Sequence, residues 1–385
     1  MRKLVGIVAG EASGDLIGSH LIRTLKKQRP DLDFVGIAGP KMIAEGAESL
    51  YPISKLSLHG YGFDVLKEIP GLLGIRRALV RYFKRVQPSV FIGIDAPDFN
   101  FSLERKLKRS GIKTIHYVSP SIWAWRKGRM SKIKRSVSHM LALFPFEPAL
   151  YEAARVSVTY VGHPLADIIP IEVDTQSARD ALRLEKHSMV VAMLPGSRVG
   201  EVSRLADLFV ETAFQISKQR EDALFLVPLI TRETRDIFEK ALFDRIASLD
   251  ASDVIPNVKI MFGHSHLAMQ AADVVIVASG TATLEAALLK KPMVITYKMP
   301  WFSWQILKRL NYLPYVGLPN ILAGRFVVPE LLQKDANPEK LSSTVLEMMA
   351  DKSRVKEIVI EFTNIHHLLR QNTEEKAVQA ILSYL

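Results

Sequence analysis

The chain has 385 residues, 48% of them apolar and 24% charged, which describes a globular protein long enough for two cores. It contains no cysteine, which excludes disulfides, thiolate catalysis and zinc–cysteine sites, and no apolar run approaches the ~18 residues of a membrane span. The formal charge of +11 is uneven: residues 1–170 hold 26 Lys and Arg against 14 Asp and Glu, and residues 171–385 hold 25 against 26. The first half is therefore the expected face for an anionic partner, either nucleic acid or an anionic membrane surface.

The opening MRKLVGIVAGEASGD sets two cations before an apolar run, as a secretory signal does. That run is short, carries glycine and passes straight into a polar turn, so it reads as the first β-strand of a cytoplasmic protein. Strand-like runs then alternate with helical patterns. In the first half they fall near Lys3–Val8, Phe34–Gly36, Val90–Ile94, Thr114–Tyr117, Met140–Leu143 and Val158–Tyr160. In the second they fall near Val190–Leu194, Leu224–Val227, Val258–Met261, Val274–Val277 and Met293–Thr296. Such alternation predicts parallel sheets with helices on both faces. The strands are too many for one sheet, and the charge break lies near Gly162-His163-Pro164. The reading is α/β, with two doubly wound domains facing across a cleft. They span residues 1–165 and 166–354, and the helical pattern of 355–385 packs back on the first.

The first turn, Gly10-Glu11-Ala12-Ser13-Gly14-Asp15, follows a strand and opens a helix. Its two glycines let the backbone approach a ligand at a helix N-terminus, although the spacing is not that of the dinucleotide fingerprint. From Gly60 to Gly74 the chain reads as an apolar, turn-rich loop, with Tyr61, Phe63, Val65, Leu66, Ile69, Leu72 and Leu73 among glycines and Pro70. The helix that follows to Gln87 gathers Arg76, Arg77, Arg81, Lys84 and Arg85 on one half of its wheel. Exposed apolar residues beside a cationic face suit an interfacial membrane contact.

Val90–Asn100 reads VFIGIDAPDFN. The apolar run ends at Asp95, two residues before a proline that cannot continue the ladder, so a carboxylate stands at the mouth of a strand. Asp98 suits the cap of the next helix, expected over about Phe99 to Arg109, whereas Asp95 stands too early for that role. Ser119–Arg135 then holds six cations and no acid beside Trp123 and Trp125, a composition that fits nucleic-acid stacking or a membrane interface.

In the second half, Leu194-Pro195-Gly196-Ser197-Arg198 sets a small residue, a hydroxyl and a guanidinium at a strand end, suited to a diphosphate. Ser279-Gly280-Thr281-Ala282-Thr283 opens a helix with free N–H groups and the positive end of its dipole towards the strand mouth. Glu285, inside that helix, is placed either to accept both hydroxyls of a ribose or to complement the dipole. His264 and His266 fall on different faces of a helix, which argues against a metal pair. Trp301, Trp304 and Leu307 read as packing, and Asn320 is an amide in a tight turn.

Taken together, AGEASGD at Ala9–Asp15, IDAPDFN at Ile94–Asn100, HYVSPSIWAWR at His116–Arg126, LPGSR at Leu194–Arg198, ASGTATLE at Ala278–Glu285 and GLPN at Gly317–Asn320 resemble the lipid-A-disaccharide synthase family from end to end. The resemblance implies an inverting, GT-B-type glycosyltransferase of two Rossmann-like domains, with residues 1–165 facing acceptor and membrane and 166–354 binding the donor. The reaction it implies moves 2,3-diacylglucosamine from UDP to 2,3-diacylglucosamine 1-phosphate, forming a β(1→6) disaccharide. Asp95 is then the base. Arg198, with Ser197, Gly280 and Thr281, holds the diphosphate without a metal or cofactor, and Glu285 binds the ribose. Glu11, Ser13, Gly14 and Asn320 line the cleft. Tyr61, Phe63, Leu66, Ile69, Leu72, Leu73, Arg76 and Arg77 contact lipid on the inner face of the inner membrane. No nucleic acid is implied, and a homodimer is left open. The one departure is Gly317, where the family often has Ser.

Overall fold

The apolar runs close into two wholly parallel sheets. The computed structural model describes residues 2–56, 63–122, 127–184, 189–250, 254–301, 304–305 and 313–385; the side chains of 63–68 and of Lys127 are outside that description. Tyr61, Trp123, Trp125 and Leu307, and the side chains of Phe63 and Leu66, therefore lie outside the described residues. The chain divides into two units, Met1–Asp167 with Leu368–Leu385, and Ile168–His367.

The first unit contains β1 (Lys3–Ala9), β2 (Leu32–Ile37), β3 (Ala47–Ser49), β4 (Val90–Ile94), β5 (Lys113–Tyr117), β6 (His139–Ala142) and β7 (Val158–Tyr160), in the order β3-β2-β1-β4-β5-β6-β7. Alternation along each strand supplies two faces. Val5, Ile7 and Ala9 of β1, with Val90, Ile92 and Ile94 of β4, pack in one core, and Ala377, Val378 and Ile381 of the last helix, Thr373–Leu382, cover it. Val8 and Phe91 point the other way, against Leu79 and Phe83 of a long helix.

That helix, α3 (Phe63–Val86), corrects one expectation. The stretch around 60–74 is not a loop beyond residue 63: the helix runs through Pro70 at the loss of one ladder bond. Leu72 and Ile75 pack against the Phe83–Phe91 core, so tertiary burial outweighs the breaking tendency of Pro and Gly. Leu72 thus serves the core, while Ile69 stays exposed and Leu73, Arg76 and Arg77 are half-buried or exposed. No helix among the described residues is long and apolar enough to cross a membrane.

The second unit contains β8 (Met189–Leu194), β9 (Ala223–Leu229), β10 (Asn257–Phe262), β11 (Val274–Ala278), β12 (Met293–Tyr297) and β13 (Glu330–Leu332), in the order β10-β9-β8-β11-β12-β13. Helix Lys352–Leu369 belongs to this unit through His367, fastened by an Arg325–Glu361 ion pair at 2.7 Å and by Arg354 Nη2 donating to Val327 O. The return to the first unit therefore begins at residue 368, not 355.

Where the chain re-enters the first unit it is pinned by hydrogen bonds. Asp167 accepts the N–H groups of Asn372 and Thr373 at 3.1 and 2.7 Å, Tyr160 donates to Leu368 O, and His163 N donates to Leu369 O. His163 is buried, its Nδ1 accepts the Leu165 N–H at 3.2 Å, and burial pushes its pKa down to about 4. Between pH 6.5 and 4 the unfolded chain binds this proton and the folded chain does not, so stability falls with acidification across that window. The loss expected between pH 7 and 4 is about 3 kcal/mol. In His163→Asn, whose amide oxygen keeps the acceptor, urea unfolding over the same range should lose stability less steeply by that amount. An unchanged slope would refute the assignment.

Candidate active site

In an open parallel sheet, crossovers leave adjacent strands in opposite directions at one point, and a crevice opens there beyond the strand ends. In the first sheet this point lies between β1 and β4, and in the second between β8 and β11. The turns predicted as functional follow these four strands.

At β1/β4, helix α1 (Ala12–Gln28) starts after Glu11, whose side chain makes no capping bond, and Glu11 and Ser13 are exposed. Gly14 is buried, and a Cβ added there would lie 3.4 Å from Ala9 Cβ and 3.6 Å from Ile94 Cγ2. Asp15 faces inward and accepts the N–H groups of Lys41 and Met42, both at 3.0 Å, thereby capping α2 (Pro40–Ala44). A Cβ on Gly10 would overlap the Ala96 methyl, so this turn lies directly against the one after β4.

That second turn is unusual. Asp95 and Ala96 both have positive φ, +53° and +43°, a conformation that L-residues adopt at a cost. Asp95 N donates to Tyr117 O at 2.9 Å, and Asn100 Nδ2 donates to Asp95 O at 2.8 Å. The half-buried Asp95 carboxylate has no ion-pair partner among the described residues. Asp98 is not the expected cap. Helix α4 starts earlier, as Pro97–Lys108, with Ala96 at its N-cap, and Asp98 sits in the first turn, exposed and paired with Arg129 at 3.1 Å. Exposed pairs of this kind contribute little to stability.

At β8/β11, the helix Val199–Ser217 begins after Arg198. Glu201 turns back and accepts the N–H groups of Ser197 and Arg198 at 3.1 and 3.3 Å, so those two backbone donors are taken. The Arg198 guanidinium stays 71% exposed, 3.7 Å from Glu201, and Ser197 is exposed. Across the switch, Gly280 (φ +147°) opens helix Thr281–Leu288, an angle that favours glycine. The first N–H groups of this helix have no helical partner, and Thr281 is exposed. Glu285 lies in the second turn, too deep to serve as a first-turn dipole acid. It is half-buried, burial pushes its carboxyl pKa up, and it has no ion pair among the described residues.

Asn320 sits differently from its expected place at the cleft lining. It is fully buried, and its amide is saturated: Oδ1 accepts from Val327 and Val328 N–H, and Nδ2 donates to Val328 O and Glu330 Oε1. No valence is left for a ligand. Glu330, which sequence reasoning missed, also accepts Val316 and Gly317 N–H at 2.9 Å. Burial raises its pKa and these bonds pull it back. Ser279 Oγ donates to Val316 O at 3.4 Å, so Asn320 and Glu330 together shape the wall beside β11.

Comparisons with known proteins bear on the family and the fold. The family profile described as lipid-A-disaccharide synthetase matches residues 5–383. The lipid-A-disaccharide synthase of Methylobacillus flagellatus is 66% identical over 381 residues, covering 99% of each chain. That of Dechloromonas aromatica is 55% identical over 383 residues, covering 99% of this chain and 98% of the relative. Among solved structures, the UDP-GlcNAc 2-epimerase of Neisseria meningitidis bound to UDP-GlcNAc has a TM-score of 0.67 at 12% identity, with 100% of each chain covered. MurG of Acinetobacter baumannii has a TM-score of 0.59 at 13% identity, with 99% of each covered. The fold is the two-domain Rossmann-like, GT-B type.

If Asn320 is a structural tie, Asn320→Ala should lower unfolding stability by about 2–4 kcal/mol, because the buried Val327 and Val328 N–H groups lose their acceptor and the half-buried Glu330 carboxylate loses one of its donors. Urea unfolding measures this directly. A loss below ~0.5 kcal/mol, as at an ordinary surface site, would return Asn320 to the list of ligand contacts.

Proposed function

The chain belongs to the lipid-A-disaccharide synthase family and is a glycosyltransferase, and on that premise we propose that it moves 2,3-diacylglucosamine from UDP to 2,3-diacylglucosamine 1-phosphate, releasing UDP and the β(1→6) disaccharide 1-phosphate. The supporting observation is the placement of two carboxylates without ion-pair partners among the described residues. Asp95 stands at one switch point and Glu285 in the helix that opens at the other.

Asp95 takes the proton of the acceptor 6-hydroxyl as its oxygen attacks the anomeric carbon of the donor. Attack from the face opposite the leaving group inverts that centre through an oxocarbenium-like state. Negative charge builds on the departing β-phosphate, and the Arg198 guanidinium and the helix N-terminus at Gly280–Thr281 stabilise it. Ser197 supplies a hydroxyl to the same diphosphate. Glu285 accepts the two ribose hydroxyls, which favours its ionised form. Since burial raises the pKa of Glu285, UDP affinity should rise with pH through the mildly acidic range. Glu11 and Ser13, exposed beside Asp95, are the acceptor-side polar contacts. The acyl chains give a role to α3, where exposed Ile69 and half-buried Leu73 accompany Arg76 and Arg77, suited to an anionic membrane surface.

Purified protein should release UDP from UDP-2,3-diacylglucosamine only when the acylated 1-phosphate is added; turnover of unacylated UDP-GlcNAc alone would overturn the substrate assignment. Asp95→Asn should lower kcat about 10³-fold, as loss of a general base does, with UDP affinity unchanged. Retention of turnover within tenfold would remove Asp95 as the base.

Vesicles containing phosphatidylglycerol should retain the protein in a salt-dependent manner, and Ile69→Ser with Arg77→Ala should weaken that retention several-fold. Binding to DNA or RNA in place of vesicles would reassign the basic half.

A further inference from the structure

Beneath the Asp95 turn lies a polar column in an otherwise apolar layer. Asn100, Glu104 and His116 are each fully buried. Asn100 and Glu104 are one turn apart on α4, and His116 is the β5 residue in register with Gly93 of β4. Glu104 Oε1 meets His116 Nδ1 at 2.7 Å, and the His116 ring packs on Phe101 at 4.4 Å between centroids. A Cβ on Gly93 would overlap Glu104 Oε1 and come within 3.1 Å of Asn100 Cγ, so the column fills the space this glycine leaves.

Stability does not account for the column. Burying polar groups without a full set of hydrogen bonds costs stability, a cost that apolar side chains of similar volume avoid. Here three further polar atoms, Asn100 Oδ1, Glu104 Oε2 and His116 Nε2, are buried without a protein partner. The polar contact that leaves the column is Asn100 Nδ2, which donates to Asp95 O at 2.8 Å and lies 3.4 Å from Val8 O and Ile94 O. Asn100 N also donates to Ala96 O at 3.0 Å. One residue therefore grips both peptides of the left-handed pair. Two consecutive non-glycine residues keep such a conformation only when their surroundings over-determine it.

We infer that Asn100, braced by the buried Glu104–His116 pair, is a positioning residue that holds the Asp95–Ala96 turn in its left-handed form and so aims the Asp95 carboxylate. The pair fixes the depth and rotation of α4 against β4 and β5. Asn100 converts that fixed depth into a fixed backbone at residue 95. This inference rests on the reading of Asp95 as the base.

The test is a double-mutant cycle on the acylated substrate pair, read beside UDP affinity by calorimetry and thermal unfolding. Asn100→Ala should lower kcat about 30-fold, the scale of a misplaced reacting group, and leave donor KM and UDP affinity within about twofold. Added to Asp95→Asn, it should lower the residual kcat less than about twofold, because both changes act through one carboxylate. Glu104→Gln, which keeps the shape and alters the brace, should show a smaller loss with the same non-additivity, and it carries the cycle if Asn100→Ala does not fold. Equal losses in both Asp95 backgrounds would mark a merely structural role and overturn the inference, as would an unchanged kcat. An active Asp95→Asn would instead overturn the base assignment.

Discussion

A parallel sheet cannot return its chain at the end where a strand stops; every strand must be followed by a crossover, and the crossovers must lie on one face or the other. Where their direction changes, two neighbouring strands end with no connection roofing them. That constraint acts twice here, at β1/β4 and at β8/β11. It requires no particular side chain, but it decides where side chains are free of the core. The turns and helix starts after these four strands carry Glu11 and Ser13, Asp95, Arg198 and Gly280, and Glu285 follows in the second turn of the helix that Gly280 opens.

The two switch points differ in electrostatic character. The one in the first unit offers a carboxylate on a turn held tightly from below. The one in the second offers a guanidinium and a helix N-terminus. The proposed function uses the carboxylate as proton acceptor and the positive groups for an anionic leaving group. Glu201 sharpens the second site by occupying the N–H groups of Ser197 and Arg198. The groups left for a diphosphate, as proposed, are the Arg198 side chain and the open helix at Gly280.

Much of this frame was legible in the sequence, because buried parallel strands are short apolar runs. β3 and β13 were not, since AES and ELL are three-residue edge strands with polar members. The strand-mouth position of Asp95 followed from the run before it and the proline after it. The start of α4 did not, because nothing in Asp-Ala-Pro signals two left-handed residues, and so Asp98 was given a capping role. Around Pro70 local propensity points to a loop, but the chain is helical there, with partly buried Leu72 and Ile75 packed against the Phe83–Phe91 core. Asn320 shows the limit most clearly. Its motif identifies an amide, and only the fold shows that Val327, Val328 and Glu330 consume it.

The acidic residues near the two switch points sort themselves by partner. Asp15 caps α2, Asp98 pairs with Arg129, Glu104 is locked to His116, Glu201 closes its own helix, and Glu330 holds two peptides and an amide. Each of these carboxylates meets at least one polar partner within the protein. Asp95 and Glu285, both half-buried, make neither an ion pair nor a carboxylate hydrogen bond among the described residues; the exposed Glu11 in the turn after β1 likewise makes none. Leaving a partly buried carboxylate unpaired costs stability, and a fold retains that cost where a ligand supplies the missing donors. Under the proposed function, the acceptor hydroxyl at Asp95 and the donor ribose at Glu285 are such donors. By the same criterion the Asn320 amide is spent inside the fold, whereas the Arg198 guanidinium is exposed and only loosely answered by Glu201 at 3.7 Å, which suits the diphosphate role proposed for it.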